Sequence, residues 1–365
     1  MKRIYVAATQ QHDGKTTISV GLYKAAEERG YHACFIKPVG QRYLLEDGVK
    51  ADEDAVLFKH ALSAGGELRN LSPVTIPRGF TEQYIFNREP ELISSRIRQA
   101  FDRVSAGEDV AIIEGTGHAG VGSVIDASNA AVARMLEADC LLVTQGGIGR
   151  CIDEICLNHA LFQKEGVSCI GVVINKVYSE KYDKVSSAVR QGLENVGIRC
   201  LGVIPYCAEL TYPTIVQLRD ELGLELICGE RYSGNRVHSI IVGAMEPQNM
   251  IAYIEDGCLV VVPGDRVDNI IISINAHLMY QHCGGPCISG LLLTGGLKPH
   301  PRIMNILTEV NVPVLLSKND TATAAYEARQ LVAKITPQDK WKVDLAADLV
   351  KKHVDLDMIF GDLPA

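Results

Sequence analysis

Residues 8–17, ATQQHDGKTT, set Gly14, Lys15, Thr16 and Thr17 directly behind a short apolar run, RIYVAA at 3–8. Glycine, lysine and a hydroxyl residue in that order close the phosphate-binding pattern G-x-x-x-x-G-K-[ST]. In such a loop, backbone N–H groups and a helix N-terminus converge on an anion. The lysine adds a mobile charge and the hydroxyl reaches Mg²⁺. The pattern's first glycine would stand at position 9, where this chain has Thr9. Replacing that glycine costs on the order of 1 kcal/mol if φ is positive there, and nothing if the loop is shaped differently. The competing reading is an ordinary strand–helix turn that happens to spell GKT.

Other residues bear on the choice. Glu114 ends the apolar stretch in DVAIIEGTG (109–117), where an acid can hold Mg²⁺ directly or through water. Asp54, in ADEDAVLF (51–58), offers a second carboxylate, or is a helix N-terminal acid favoured by the dipole. Lys37 follows the apolar HACFI and precedes Pro38, so it projects at the same edge, or is a solvated strand-end lysine. His118 is a general base or phosphate sensor, or a loop residue facing water. TQGGIG (144–149) lines the site or is a plain turn. Asp265 and Arg266, after Gly264, form a ligand or dimer-contact site, or an ion pair that ties down a turn. Cys283 and Cys287 in CGGPC, with His282 beside them, read as a metal half-site or as a loop with buried thiols.

The elements that must position these residues alternate. Residues 3–8, 32–39, 109–117, 138–147, 167–177 and 199–206 read as strands, and 16–29 as a helix stopped by Gly30. Continuous apolar strands between helices predict a mostly parallel sheet covered on both faces, with ligands at its carboxyl edge. A first domain is expected over 1–206. A second, smaller α/β domain is expected over 207–330, opened by a bridging helix at 210–227. Its strands are HSIIVGAM, CLVVVPGDR, CISGLLLTGG and VPVLLSKND, and its helices VDNIIISINAHLMY and RIMNILTEV. The tail 331–365 reads as an amphipathic helix docking on the second domain or on a partner.

Composition narrows the class. A chain of 365 residues exceeds what one core usually organises. A net charge of -8 without a Lys/Arg block makes nucleic acid and anionic membrane surfaces poor partners. No stretch approaches the roughly 20 apolar residues of a membrane-spanning helix. Eleven cysteines without framework spacing suggest reduced thiols and a cytoplasmic setting.

GKTT at 14–17, IKPVG at 36–40, EDA at 53–55, IEGTGH at 113–118, INKV at 174–177 and LGVIPY at 201–206 resemble dethiobiotin synthetase in order and spacing. That family is ATP-dependent, requires Mg²⁺ and has a P-loop NTPase-like fold. The resemblance implies that Gly14, Lys15, Thr16 and Thr17 bind phosphate and that Lys37 sits by the γ-phosphate. It also implies that Thr16, Asp54 and Glu114 hold Mg²⁺ and that Asn175 meets the adenine. Lys15 and Lys37 are the catalytic candidates. The second half, 242–274 with 290–301 and 312–325, resembles a DRTGG domain. The two together are similar to the N-terminal region of long-form phosphotransacetylases. Gln11, Gln41, Thr116 and His118 depart from the substrate positions of dethiobiotin synthetase.

Three functions are expected to compete. The first is an ATP/Mg²⁺-binding regulatory protein whose DRTGG domain dimerises or senses a metabolite, acting on a separate acyltransferase. Acetyl transfer is not expected of residues 1–365 alone. The second is an ATP-dependent ligase acting on a carboxylate. The third, a partner-driven ATPase, ranks last because those relatives carry a second lysine near the start of the loop, where this chain reads Ala8, Thr9, Gln10.

Overall fold

A computed structural model describes residues 1–268, 270–271, 288–309, 312–331 and 333–361. The chain divides into two compact units, one of Met1–Cys207 with Ile335–Ala365, the other of Ala208–Lys334.

The first unit is built on six parallel strands: β1 (Lys2–Ala8), β2 (Ala33–Ile36), β7 (Val110–Glu114), β8 (Asp139–Gln145), β9 (Cys169–Val177) and β10 (Cys200–Pro205). Their order in the sheet is β10-β9-β8-β1-β7-β2. The apolar runs read from the sequence are these strands, and they are buried because helices cover both faces. From β1 the chain goes right to β2, returns to β7, then crosses to β8. That reversal opens a crevice at the carboxyl end of β1, where ligands of open α/β sheets bind. The GKT loop and the helix α1 (Lys15–Glu28) follow β1 directly.

Smaller pieces frame the β2 side. A parallel pair joins β3 (Val39–Gly40) to β6 (Val74–Thr75), and a hairpin joins β4 (Tyr43–Glu46) to β5 (Val49–Asp52). The hairpin turns on Asp47 and Gly48, both at positive φ, which is the geometry that matches strand twist.

The tail departs from expectation. The helix Lys340–His353 belongs to the first unit and packs along α1, not on the second domain. Its buried face is Val343, Ala346 and Val350. The fit depends on glycine: a Cβ at Gly21 would lie 2.4 Å from Val350 Cβ, and one at Gly202 would lie 2.5 Å from His353 O. Asp355 N donates to Leu201 O at 2.8 Å, and Arg29 pairs with Asp357 at 2.6 Å. Amphipathicity announces a buried face but not the surface that receives it.

The second unit holds a sheet ordered β11-β15-β14-β13-β12. Strands β12 (Ser239–Val242), β13 (Cys258–Pro263), β14 (Ile288–Thr294) and β15 (Val314–Leu316) are parallel, and β11 (Glu225–Cys228) runs antiparallel to β15. The expected bridging helix 210–227 is shorter, Ile215–Leu222. Thr214 and Gln217 form a capping box that starts it, and Gly223 at φ 61 stops it. The residues beyond, Glu225–Cys228, pair with β15 instead. Asp265 and Arg266 are exposed beyond β13, and no ion pair joins them among the described residues. The metal half-site read at His282, Cys283 and Cys287 lies outside the described residues, as does most of VDNIIISINAHLMY.

The helix-on-helix contact is testable. Gly21→Ala gains helix propensity worth about 1 kcal/mol but forces α1 away from Val350, an overpacking cost of roughly 1–3 kcal/mol. Urea denaturation should show net destabilisation. A raised midpoint, with propensity gained and no packing lost, would mean that Lys340–His353 does not rest on α1.

Candidate functional site

Helix α1 starts at Lys15 with Gly14 as its N-cap, at φ 101. Glycine is required there twice over, because a Cβ would also lie 2.1 Å from Asn175 Nδ2. The tip of the loop is braced from neighbouring strand ends. Asn175 Nδ2 donates to Asp13 O at 2.9 Å, while Gln145 Nε2 and Lys176 Nζ donate to His12 O. Thr17 follows, half-buried, in the first turn of α1. TQGGIG thus reaches the loop through Gln145.

Thr9, at the missing glycine, has no positive φ; the left-handed non-glycine residue of the loop is His12, at φ 63. The Thr9 hydroxyl donates to Asp13 Oδ2 at 2.9 Å and bonds Thr144 Oγ1 at 2.8 Å. Gln10 N donates to the same Asp13 oxygen at 2.7 Å. The loop is therefore latched by side chains. Burial pushes the Asp13 carboxyl up, against the hydrogen bonds from Gln10 and Thr9.

Behind the loop, four side chains converge from four elements. Lys37 Nζ donates to Asp54 Oδ2 at 2.6 Å, to Glu114 Oε1 at 2.8 Å and to Gly115 O at 3.2 Å. Thr16 Oγ1 lies 3.0 Å from Glu114 Oε1 and 3.2 Å from Asp54 Oδ1. The side chains of Lys37, Asp54 and Glu114 are only 4, 8 and 1% exposed. Burial opposes the Lys37 charge, but the carboxylates of Asp54 and Glu114 outweigh it and hold the ammonium well above its ordinary value. Burial also raises Glu114, with Lys37 opposing. Lys15 is pushed down to about 8 by burial and by the nearby Lys37 charge.

Asp54 is placed by its own helix, Glu53–Ala61, whose N-cap Asp52 accepts from Asp54 N at 3.1 Å. Glu114 Oε2 is buried with no hydrogen-bond partner. An orphaned carboxylate oxygen beside a second carboxylate and a hydroxyl suits a hard cation such as Mg²⁺. Mg²⁺ usually takes one or two carboxylates and keeps water and phosphate for its other positions. The donor set therefore fits, with a hydroxyl beside two carboxylates; the described residues hold no group of three or more His, Cys, Asp or Glu side chains that could bind a metal.

His118 is not drawn into this cluster. Its ring is exposed, and its Nδ1 accepts from Gly120 N at 3.2 Å within its own loop. The residue that shapes that loop is Asn129. It accepts from Tyr5 Oη and Thr116 N and donates to the carbonyls of Thr116 and His118. Asn129, Asp13 and Lys176 went unread in the sequence. Asp13 adjoins the loop glycine and takes Thr9 and Gln10 as partners within the loop, whereas Lys176 and Asn129 reach across the chain to His12 and Tyr5.

A parallel sheet with a GKT loop and helix at its switch point, backed by a lysine and two acids, defines a P-loop nucleotide-binding fold. The chain belongs to the AAA domain family, whose model matches residues 2–214, and a DRTGG domain matches residues 217–331. Phosphate acetyltransferase from Pseudomonas putida is 26% identical over 369 residues, which cover 97% of this chain and 51% of that protein. The enzyme of the same name from Nitratidesulfovibrio vulgaris is 24% identical over 361 residues, covering 96% and 50%. The chain thus spans about half the length of the curated relatives it matches. Among solved structures, the MinC:MinD cell division protein complex of Aquifex aeolicus aligns with a TM-score of 0.38 at 13% identity, over 57% of this chain and 84% of that one.

Two measurements check this geometry. Lys37→Met leaves two buried carboxylates without their cation, at a cost of roughly 3–5 kcal/mol. Thermal unfolding should show that loss, and added Mg²⁺ should recover part of it. Thr9→Val removes the latch hydroxyl from Asp13 and should cost roughly 1–3 kcal/mol in urea denaturation. Stability equal to the wild type would mean that the latch does not hold the loop.

Proposed function

We propose that this protein binds ATP with Mg²⁺ at the P-loop and acts as a nucleotide-responsive regulator. The observation that carries the reading is the buried set of Thr16, Lys37, Asp54 and Glu114 behind Gly14 and Lys15, with Glu114 Oε2 unpartnered. In this reading Lys15 and the N–H groups of 14–17 hold the phosphates. Thr16 Oγ1, Asp54 and Glu114 are the Mg²⁺ ligands. When bound, the ion neutralises charge on the β- and γ-phosphate oxygens. Lys37 directs a second positive charge at the same place. Asn175 keeps one amide N–H for the adenine after bonding Asp13 O.

The regulatory part of the proposal draws on the pairing of this domain with a DRTGG domain, as in the matched relatives. We assign self-association as a homodimer to the second unit and a separate acyltransferase as the partner. A cytoplasmic setting is supported by nine described cysteines, none of them in a disulfide. The net charge of -8 argues against nucleic acid as a partner. No helix among the described residues is long and apolar enough to cross a membrane.

A second reading, an ATP-dependent ligase acting on a carboxylate, is favoured by one feature. In that reading the Lys37 ammonium, held by Asp54 and Glu114, would neutralise an acceptor's charge as well as a phosphate.

Calorimetric titration with ATP, with and without Mg²⁺, tests the proposal. Lys15→Ala should weaken ATP binding roughly tenfold to a hundredfold, the loss of a charge-assisted contact of about 1.5–3 kcal/mol. Asp54→Asn should leave Mg²⁺-free binding in place and remove the gain that Mg²⁺ brings. ATP affinity unaltered by Lys15→Ala would sink the nucleotide reading. Phosphate release by the wild type, stimulated by an added carboxylate, would favour the ligase over the regulator.

A further inference from the structure

Away from the P-loop cluster, two thiols of the first unit meet. Cys140 lies at the start of β8 and Cys169 opens β9. The two are Cα partners in the parallel ladder, so their side chains share one face of the sheet. The register then shifts: Leu141 pairs with Gly171, which leaves Ile170 as an extra residue. An irregularity of this kind re-aims the side chains beside it. The Cys140 thiol donates a hydrogen bond to the Cys169 sulfur, and the Cys169 thiol donates to Gly171 O at 3.5 Å. The pair sits at the amino edge of the sheet, opposite the edge that carries the P-loop.

The two thiols have different surroundings. Cys140 is wholly buried, whereas Cys169 is half-buried. Burial pushes the Cys140 thiol up, so it keeps its proton and donates it. That hydrogen bond draws the Cys169 thiol below its ordinary value, against burial. Burial pushes the thiols of Cys34, Cys151, Cys200 and Cys258 up. The thiolate is the nucleophile, and a cysteine closed in apolar surroundings is inert. Cys169 is thus the sulfur that a small oxidant reaches, and Cys140 is the thiol directly behind it.

The spacing suits a bridge. Neighbouring strands lie about 4.7–4.9 Å apart, and the Cα atoms of a disulfide are usually about 4.4–6.8 Å apart. The backbones of a register pair already meet that range.

We propose that Cys140 and Cys169 form an oxidation site that a hydroperoxide closes to a disulfide. The Cys169 sulfur attacks one peroxide oxygen, and the O–O bond breaks. Cys169 becomes a sulfenic acid, and the other oxygen leaves with the Cys169 proton, as water when the oxidant is hydrogen peroxide. The Cys140 sulfur then attacks the Cys169 sulfur. The S–O bond breaks, the S–S bond forms, and the hydroxide leaves as water with the Cys140 proton. Two thiols are oxidised and one peroxide is reduced. The bridge joins the strands whose far ends supply Gln145, Asn175 and Lys176 to the P-loop. The oxidation itself does not rest on the nucleotide reading.

The test treats the reduced full chain with hydrogen peroxide and maps its peptides by mass spectrometry without reduction. The wild type should yield a peptide pair linked through Cys140 and Cys169, and should lose two thiols for each peroxide consumed. Cys169→Ser should slow peroxide consumption roughly tenfold or more, because the sulfur that starts the reaction is gone. Cys140→Ala should leave Cys169 as a sulfenic acid that dimedone captures. Absence of the Cys140–Cys169 linkage in the wild type would overturn the proposal, and that measurement needs no variant to fold. So would peroxide consumption that Cys169→Ser leaves unchanged, or bridges spread evenly over the other cysteines.

Discussion

One ammonium group organises the nucleotide-binding unit. Lys37 sits between Asp54 and Glu114, with all three side chains withdrawn from water. Two carboxylates that close together cannot both stay ionised in a buried site without a cation. The end of β2, the start of the helix Glu53–Ala61 and the end of β7 can therefore meet only around a positive charge. The backbone is cut to allow it. Asp52 caps that helix and so aims Asp54, and Gly40 gives Asp52 room, since a Cβ there would lie 2.6 Å from its carboxylate. The same charge acts on Lys15, which burial and Lys37 together push down to about 8. The carboxylates of Glu114, Asp13 and Asp54 oppose that shift.

The loop without its first glycine makes sense in this setting. A glycine answers the need for a left-handed angle, and at position 9 no such angle exists. The need falls on Gly14, which has the glycine, and on His12, which bears the strain of a side chain at φ 63. What Thr9 contributes is a hydroxyl facing Asp13 and Thr144. Backbone freedom at one position has been exchanged for side-chain bonding, so the loop's shape is held from within and from the ends of β8 and β9.

How far this could be read in the sequence follows from the range of each interaction. The six strands were legible because burial on both faces leaves continuous apolar runs, and Gly14, Lys15 and Thr16 were legible because a short motif carries them. Lys37, Asp54 and Glu114 were legible as strand-end or helix-start polar residues, Lys37 and Asp54 each with a plain alternative; only the fold brings them within hydrogen-bond distance. The Asp47–Gly48 turn carries its signal in two adjacent residues, both at positive φ. Thr9 was legible only as the missing glycine; the bond of its hydroxyl to Thr144, 135 residues away, was not. The overlong bridging helix shows propensity yielding to tertiary pairing: Glu225–Cys228 looks helical locally but finds β15 as a partner. His118 was weighed for its chemistry, and the geometry instead gives the loop's support to Asn129, whose amide satisfies Tyr5, Thr116 and His118 together.

The placing of the C-terminal helix has a consequence for how the unit becomes whole. Helix α1 carries the P-loop at its start and Gly21 in its middle, and Gly21 is covered by Val350. Between them the chain completes all of Ala208–Lys334. The back of the phosphate-binding helix is therefore closed by a segment synthesised after the second unit, and the pairing is among the most non-local in the molecule. Contacts of this kind carry a large loop-closure cost before they return any stability. The cost is offset by surface the first unit cannot bury otherwise: Val343, Ala346, Val350, Ile359 and Phe360 all join its core. Both ends of the second unit are thus anchored in the nucleotide-binding unit. One anchor follows β10 of the central sheet, and the other leads into the helix that backs the loop. A P-loop unit interrupted in this way depends on the later segment for its own packing, so its integrity is a property of the whole chain and not of residues 1–207 alone.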